Sequence, residues 1–190
     1  MDIIKILNLK KGFNSFQVLR GVNLSIPAEK ITFIMGGSGT GKSVLLKHIV
    51  GLLKPDEGEI WFENEDITKL RESDLQRIRK KIGFLFQEGA LFDSFTVEEN
   101  VAFPLREHSK MAKGEIKKKV EELLSAVELL PAKDKYPSEL SGGMRKRAAL
   151  ARTLALNPQV ILFDEPTTGL DPLLQITIME LIKKIKENYG

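Results

Sequence analysis

Residues 31–50 read ITFIMGGSGTGKSVLLKHIV, and this stretch decides the fold. Its first five residues, Ile31-Thr32-Phe33-Ile34-Met35, form an apolar run of strand length, expected to be a buried strand. Gly36, Gly37, Ser38, Gly39, Thr40, Gly41, Lys42 and Ser43 then spell G-x-x-x-x-G-K-S. Val44, Leu45, Leu46, Ile49 and Val50 follow at helical spacing. A strand, a Gly-rich loop and a helix in that order are the context of a P-loop. Glycines let the backbone turn its N–H groups inward on phosphate oxygens, and the positive end of the next helix backs them. Lys42 supplies a mobile charge for the β- and γ-phosphates, and the Ser43 hydroxyl is a hard oxygen suited to Mg²⁺. The dinucleotide fingerprint G-x-G-x-x-G does not fit, because Lys42 stands three places after Gly39.

The rest of the chain is compatible with a nucleotide-binding α/β protein. At 190 residues it has room for one domain, or one domain carrying a subdomain. No cysteine is present, which excludes a disulfide framework, a thiol nucleophile and a Cys-based zinc site. No apolar run approaches membrane-spanning length, and the N-terminus MDIIKILNLKK lacks a secretory core, so a cytosolic protein is expected. The net charge of +3 reads as ordinary solubility charge. His48 and His108 are too far apart in sequence to suggest a metal pair.

Residues 2–7 and 22–26 have strand character, with a turn at 11–15. Phe13, on that turn ahead of the P-loop, is either a half-buried hydrophobe or a face for stacking adenine. Pro55 ends the helix that follows the P-loop. A short strand is expected at 59–62, a charged helix at 69–81 and a buried strand at 82–86, ending at Gln87. Residues 88–104 read as loop, with Phe92, Phe95 and Phe103 scattered through it. Helices are expected at 113–130, stopped by Pro131, and at 142–156. Residues 158–163 return to a buried strand, and a last helix opens at Asp171-Pro172, with Gly190 as a plausible C-cap. The expected organisation is an α/β core from 1–87 and 157–190, interrupted by a helical subdomain at 88–156.

Two further stretches carry chemistry. Asp164 and Glu165 end the 158–163 strand, and adjacent strand residues face opposite ways. Asp164 suits the Mg²⁺ shell, and Glu165 suits polarising the water that attacks a γ-phosphate. Leu140-Ser141-Gly142-Gly143-Met144 opens a helix: Ser141 can cap it, and the two glycines leave its first amides open, as at an anion site. Two such sites on one chain suggest that the second binds the nucleotide of another copy.

These motifs together resemble the nucleotide-binding subunit of ATP-binding cassette (ABC) transporters, over almost the whole chain. The resemblance implies a P-loop NTPase core with a helical subdomain, and a head-to-tail dimer closing on ATP and Mg²⁺. It makes residues 36–43 the Walker A loop, 160–164 the Walker B strand and Glu165 the catalytic carboxylate. It makes Gln87 the Q-loop residue, touching Mg²⁺ and the attacking water. Residues 140–144 become the signature motif, with Met144 in place of the usual Gln, and 168–171 the D-loop. Phe13 falls at the adenine-stacking position, with Val18 beneath the base. A finer resemblance lies in Phe86-Gln87-Glu88-Gly89-Ala90-Leu91-Phe92 and in residues 100–108 (NVAFPLREH), which look like the ATPase of Mla-type lipid-transport systems. It implies a membrane permease and an MCE-type lipid-binding protein as partners, phospholipid as cargo, and a peripheral place at the cytoplasmic face of the inner membrane. In that family Phe92, Phe95 and Phe103 would lie in the socket for the permease.

One departure stands out. The family carries a switch histidine on a strand beyond the last helix, and both histidines here lie upstream of Asp164. The chain is therefore expected to be shortened before that strand, and to bind Mg·ATP while hydrolysing it poorly. Competing readings are a small-solute ABC transporter ATPase, a nucleotide-responsive regulatory module, and a soluble ABC ATPase acting on nucleic acid. The last predicts tandem cassettes or long coiled coils, which are absent, so no nucleic-acid partner is expected.

Overall fold

The computed structural model describes residues 1–189, so the expected C-cap at Gly190 lies outside the described residues. The chain divides into two compact units, one from Met1 to Arg79 and one beginning at Lys80.

The first unit is built on an antiparallel sheet. Strands β1 (Asp2–Phe13) and β2 (Phe16–Pro27) form a long hairpin, and β3 (Glu57–Phe62) and the two-residue β4 (Glu65–Asp66) complete the order β2-β1-β3-β4. Both hairpin strands run further than their apolar residues predict, because they pair with each other from Asp2 opposite Pro27 to Phe13 opposite Phe16, and β1 also pairs with β3. The turn narrows to Asn14-Ser15, and Asn14 takes a left-handed φ of 53° that asparagine tolerates. Ile4, Ile6, Leu9, Ile60 and Phe62 are buried along the sheet. Helices α1 (Lys42–Ile49) and α2 (Glu72–Arg79) bury Leu45, Leu46 and Ile49, and Leu75 and Ile78. Arg79 closes the unit by donating to the carbonyls of Val50 (3.1 Å) and Gly51 (2.9 Å).

Residues 31–35 do not form the expected buried strand. They join neither sheet among the described residues, and Ile31, Phe33 and Met35 are 46, 68 and 91% exposed. An apolar run becomes a strand only when a neighbour supplies ladder partners for its N–H and C=O groups, and no described strand does so here.

The second unit pairs β5 (Ile82–Leu85) in parallel with β6 (Val160–Phe163), Ile82 opposite Val160 and Leu85 opposite Phe163. Parallel strands need a long crossover, and residues 86–159 provide it. They carry α3 (Val97–His108), α4 (Lys113–Ala126) and α5 (Gly142–Leu154), and α6 (Pro172–Tyr189) follows β6. Val97, Val101, Val120, Leu123, Leu124, Leu150 and Leu154 share one core with Leu181 and Ile185 of α6.

Helix α3 replaces the expected loop over 97–104. A capping box sets its start: the Glu99 amide donates to Thr96 Oγ1 (3.2 Å), and the Thr96 amide donates to Glu99 Oε2 (2.8 Å). The T-x-x-E signal is present in the sequence, but Pro104 inside the helix obscures it. The loop before α3 is held by buried Asn100. Its Oδ1 accepts from the Phe92 amide (2.8 Å), and its Nδ2 reaches the carbonyls of Phe92, Phe95 and Thr96 at 3.0 to 3.2 Å. Among the described residues no helix is long and apolar enough to cross a membrane.

Candidate nucleotide-binding elements

In the first unit the P-loop runs from Gly36 into α1. Gly39 and Gly41 hold φ of 74° and 98°, in the left-handed region, and Gly41 is the residue from which α1 departs. A Cβ at Gly41 would stand 2.8 Å from Val18 Cγ1 and 3.2 Å from Leu19 Cδ2. This position therefore excludes a side chain by conformation and by space. Lys42 folds back over the loop, its ammonium donating to the carbonyls of Gly36 (3.1 Å) and Gly37 (2.9 Å). Thr40 Oγ1 donates to the Gly37 carbonyl at 2.9 Å, which closes the turn through Ser38. A helix start aims its first N–H groups along the axis, and Lys42 and Ser43 occupy that first turn. The loop is exposed over 36–40, open to a ligand. These features fit a phosphate chain: glycine-dependent backbone, a cation and a helix start.

Val18, on β2, is thus brought against the P-loop. Phe13 sits at the tip of the same hairpin, 42% exposed, with Lys11 Nζ 5.7 Å from its ring centroid. Asp56 anchors that tip. Its carboxylate accepts from Lys11 Nζ (2.7 Å) and from the Gly12 amide (2.7 Å), and its own amide donates to the Lys10 carbonyl (3.0 Å). The Lys11 and Gly12 hydrogen bonds hold the Asp56 carboxyl below the usual carboxylate range. Asp56 was not singled out from the sequence, where it reads only as part of a turn after Pro55.

In the second unit, β6 delivers Asp164, buried, with its amide donating to the Leu85 carbonyl at 3.0 Å. The strand ends at Phe163, so the alternation expected for Asp164 and Glu165 does not apply to them. Glu165 instead takes a left-handed φ of 47°, and this change of backbone conformation, rather than strand pleating, sets its direction. Its Oε2 accepts from the Thr168 hydroxyl at 3.0 Å. These carboxylates, the Gln87 amide and the Ser43 hydroxyl are all hard oxygen donors of the type Mg²⁺ prefers.

Ser141 caps α5, its Oγ accepting from the Met144 amide at 3.3 Å. Gly142 and Gly143 fill the first turn. A Cβ at Gly143 would meet Leu174 Cδ2 at 3.3 Å, and one at Gly142 would meet Leu170 Cδ2 at 3.5 Å. The glycines therefore pack beside the 168–171 turn and the start of α6. Asp171 caps α6, its Oδ1 accepting from the amides of Leu173 and Leu174, each at 3.1 Å.

Gln87 follows β5, and its carbonyl accepts from the Lys146 ammonium of α5. Burial pushes Lys146 below the ordinary lysine range, and the charges of Glu88 and Glu165 oppose that shift. Glu165 and the segment at Gln87 thus share one electrostatic environment. Lys146 lies in the run Arg145-Lys146-Arg147, which reads as solvated charge in sequence; no local pattern announced its burial.

The sequence profile of the ABC transporter family matches residues 19–168. The chain is 47% identical over 182 residues to the probable ribonucleotide transport ATP-binding protein mkl of Mycobacterium leprae, covering 96% of this chain and 52% of that protein. It is 46% identical over 186 residues to the intermembrane phospholipid transport system ATP-binding protein MlaF of Haemophilus influenzae, covering 98% of this chain and 70% of that one. The chain thus spans about half the length of the mycobacterial relatives it matches. Among solved structures, the ATP-binding cassette MJ0796, a dimer in a post-hydrolysis state bound to ADP and Pi, superposes with a TM-score of 0.90 at 39% identity, covering 98% of this chain and 84% of that one. The cbiO1 protein of Clostridium perfringens, part of the ABC transporter complex cbiONQ, superposes with a TM-score of 0.89 at 34% identity, covering 100% of this chain and 75% of that one. By sequence and by fold, this chain belongs to the ABC transporter family of ATP-binding proteins.

Proposed function

We propose that the chain is the ATP-binding and ATP-hydrolysing subunit of an ABC transporter that drives phospholipid or lipid transport between bacterial membranes. The observation that carries the ATPase reading is the conjunction, on one chain, of a glycine-dependent P-loop, an acidic turn after a buried strand and a Ser-capped, glycine-started helix. The cargo assignment is supported by the match to MlaF along nearly the whole chain.

Each element then has a role. Lys42 and the amides at the start of α1 hold the ATP phosphates. Phe13 stacks on the base, and Val18 packs beneath it. Ser43, Gln87 and Asp164 supply oxygen donors for Mg²⁺, which when bound offsets phosphate charge. Glu165 orients and polarises the attacking water, with its carboxylate steadied by Thr168. Ser141, Gly142 and Gly143 cap the nucleotide of a second copy, so that ATP closes a head-to-tail dimer and hydrolysis reopens it. The helical stretch 88–156 conveys that motion to a permease at the cytoplasmic face of the membrane, and an MCE-type protein carries the lipid. The test is recovery of the chain from solubilised membranes with its partners identified by mass spectrometry. Recovery of a permease together with an MCE-type protein supports the reading; recovery of neither refutes the lipid assignment.

A second reading, an ATPase for a small solute, is favoured by the mkl relatives, whose name assigns them ribonucleotide transport. The same experiment separates the two, because a small-solute permease would then be recovered without an MCE-type protein.

A further inference from the structure

Helix α5 holds the segment after β5 by its backbone. The Lys146 ammonium donates to the Gln87 carbonyl. Six residues along, Arg152 Nη2 donates to the Gly89 carbonyl (2.8 Å) and Nη1 to the Ala90 carbonyl (2.7 Å). Between them Gly89, buried at a φ of 77°, lies so close to the helix that a Cβ there would stand 3.2 Å from Ala149 Cβ. Residues 146, 149 and 152 stand three apart, so each lies beside the next on the helix surface. Lys146 is buried, and such a cation is tolerated only when strong acceptors or opposite charges surround it. It has the Gln87 carbonyl as acceptor, and the charges of Glu88 and Glu165 act on it.

The same helix begins at Ser141, about 7 Å along the axis from Lys146. A helix moves as a rigid rod over so short a distance, so its start and the Gln87 backbone move together. We propose that Lys146 is a positioning residue: its bond to the Gln87 carbonyl ties the 87–90 backbone to α5, so that Gln87 takes its place from the helix that begins at Ser141. The proposal rests on the role given to Gln87 above. It provides a route by which capping of nucleotide at Ser141 is felt at Gln87.

The test compares Lys146→Met, Lys146→Arg, Gln87→Ala and the Lys146→Met/Gln87→Ala double variant of the purified chain. Amide hydrogen exchange over 87–91 reads the tie directly, and it should quicken about tenfold in Lys146→Met while residues 82–85 stay protected. ATP turnover should show kcat lowered about tenfold with KM nearly unchanged, and Lys146→Arg should recover much of it. In the Gln87→Ala background, Lys146→Met should cost nothing further. Unchanged exchange over 87–91 overturns the proposal, and so does a full additional loss of turnover in the double variant. Normal turnover by Gln87→Ala instead overturns the role of Gln87, and the exchange result still decides the tie. Should Lys146→Met lower the melting temperature of the whole chain, Lys146→Gln takes its place in each comparison.

Discussion

Val18 stands directly against Gly41: a single carbon added to Gly41 would lie 2.8 Å from Val18 Cγ1. The hairpin that carries Phe13 and the loop that carries Lys42 are thereby fitted to each other within one unit. Gly41→Ala meets the Val18 contact, a 3.2 Å approach to Leu19 Cδ2 and a φ of 98° that alanine resists. The expected cost is about 1–3 kcal/mol of local strain, with ATP binding weakened at least tenfold. Calorimetric titration with ATP, beside thermal melting, checks both. Adding Val18→Ala should relieve the Val18 contact and leave the Leu19 approach and the φ penalty, so affinity should return only in part.

Asp56 predicts a second effect at the same site. Its carboxylate holds Lys11 and the Gly12 amide, and so fixes the tip on which Phe13 stands. Phe13→Ala should weaken adenine nucleotide binding about tenfold by removing the stacking face. Asp56→Ala should weaken it less, about threefold, because the ring remains but its support loosens. Binding of inorganic triphosphate, which has no base, should be unaffected by either change. Competition of each against a fluorescent ATP analogue measures this.

Much of this arrangement was legible in the chain because it depends on local chemistry. The glycines of 36–41, the Ser141 cap and the Asp171-Pro172 helix start are each set by neighbours within a few residues. What escaped depends on distant partners. The 31–35 run is apolar enough for a strand, yet strand pairing needs a neighbour that sequence pattern cannot supply. Asp56 and Lys146 act on backbone that is remote in sequence, Gly12 and Gln87, so neither had a motif. Helix α3 is the exception: Thr96 and Glu99 spell its start, and the interior Pro104 masks it. The turn at Glu165 lies past Phe163, where the ladder ends, and the apolar run does not mark that boundary.

His48 gives a pH prediction. It is buried on α1, with Nδ1 2.7 Å from the Val44 carbonyl. Burial, with the Lys11 charge assisting, lowers its pKa below the usual 6.5, against the Val44 and Lys54 backbone hydrogen bonds and the Asp56 charge. The unfolded chain therefore takes up this proton at higher pH than the folded one does. The resulting stability is present in full above about pH 6.5 and is lost as pH falls through the lower folded value. Thermal melting should drop from pH 7.5 to pH 5.5, and His48→Leu should flatten that slope. An equally steep slope in the variant would assign the acid sensitivity elsewhere.

Asn100 predicts how the aromatic cluster is supported. Phe92, Phe95 and Phe103 meet with centroids 4.9 to 5.9 Å apart, and Phe92 is 43% exposed with Arg152 Cζ 5.8 Å from its centroid. The loop that presents Phe92 and Phe95 gives four hydrogen bonds to one buried amide side chain. Asn100→Leu keeps the branched shape in a bulkier side chain and takes the side-chain partner from the Phe92 amide and the Phe95 carbonyl, while the Phe92 and Thr96 carbonyls keep the amides of Phe95 and Asn100. Each unsatisfied buried group costs roughly 1–3 kcal/mol, though water reaching the loop would recover part of it, so about 3 kcal/mol in total is expected. Denaturant unfolding measures the loss. Hydrogen exchange should then show 92–96 opening while the core at Val120 and Leu123 stays protected. If this surface receives a permease, as proposed, Asn100→Leu should also reduce recovery of membrane partners, while ATP affinity at the P-loop of the other unit should hold. Loss of ATP affinity instead would mean that the substitution disrupts the whole chain rather than the loop.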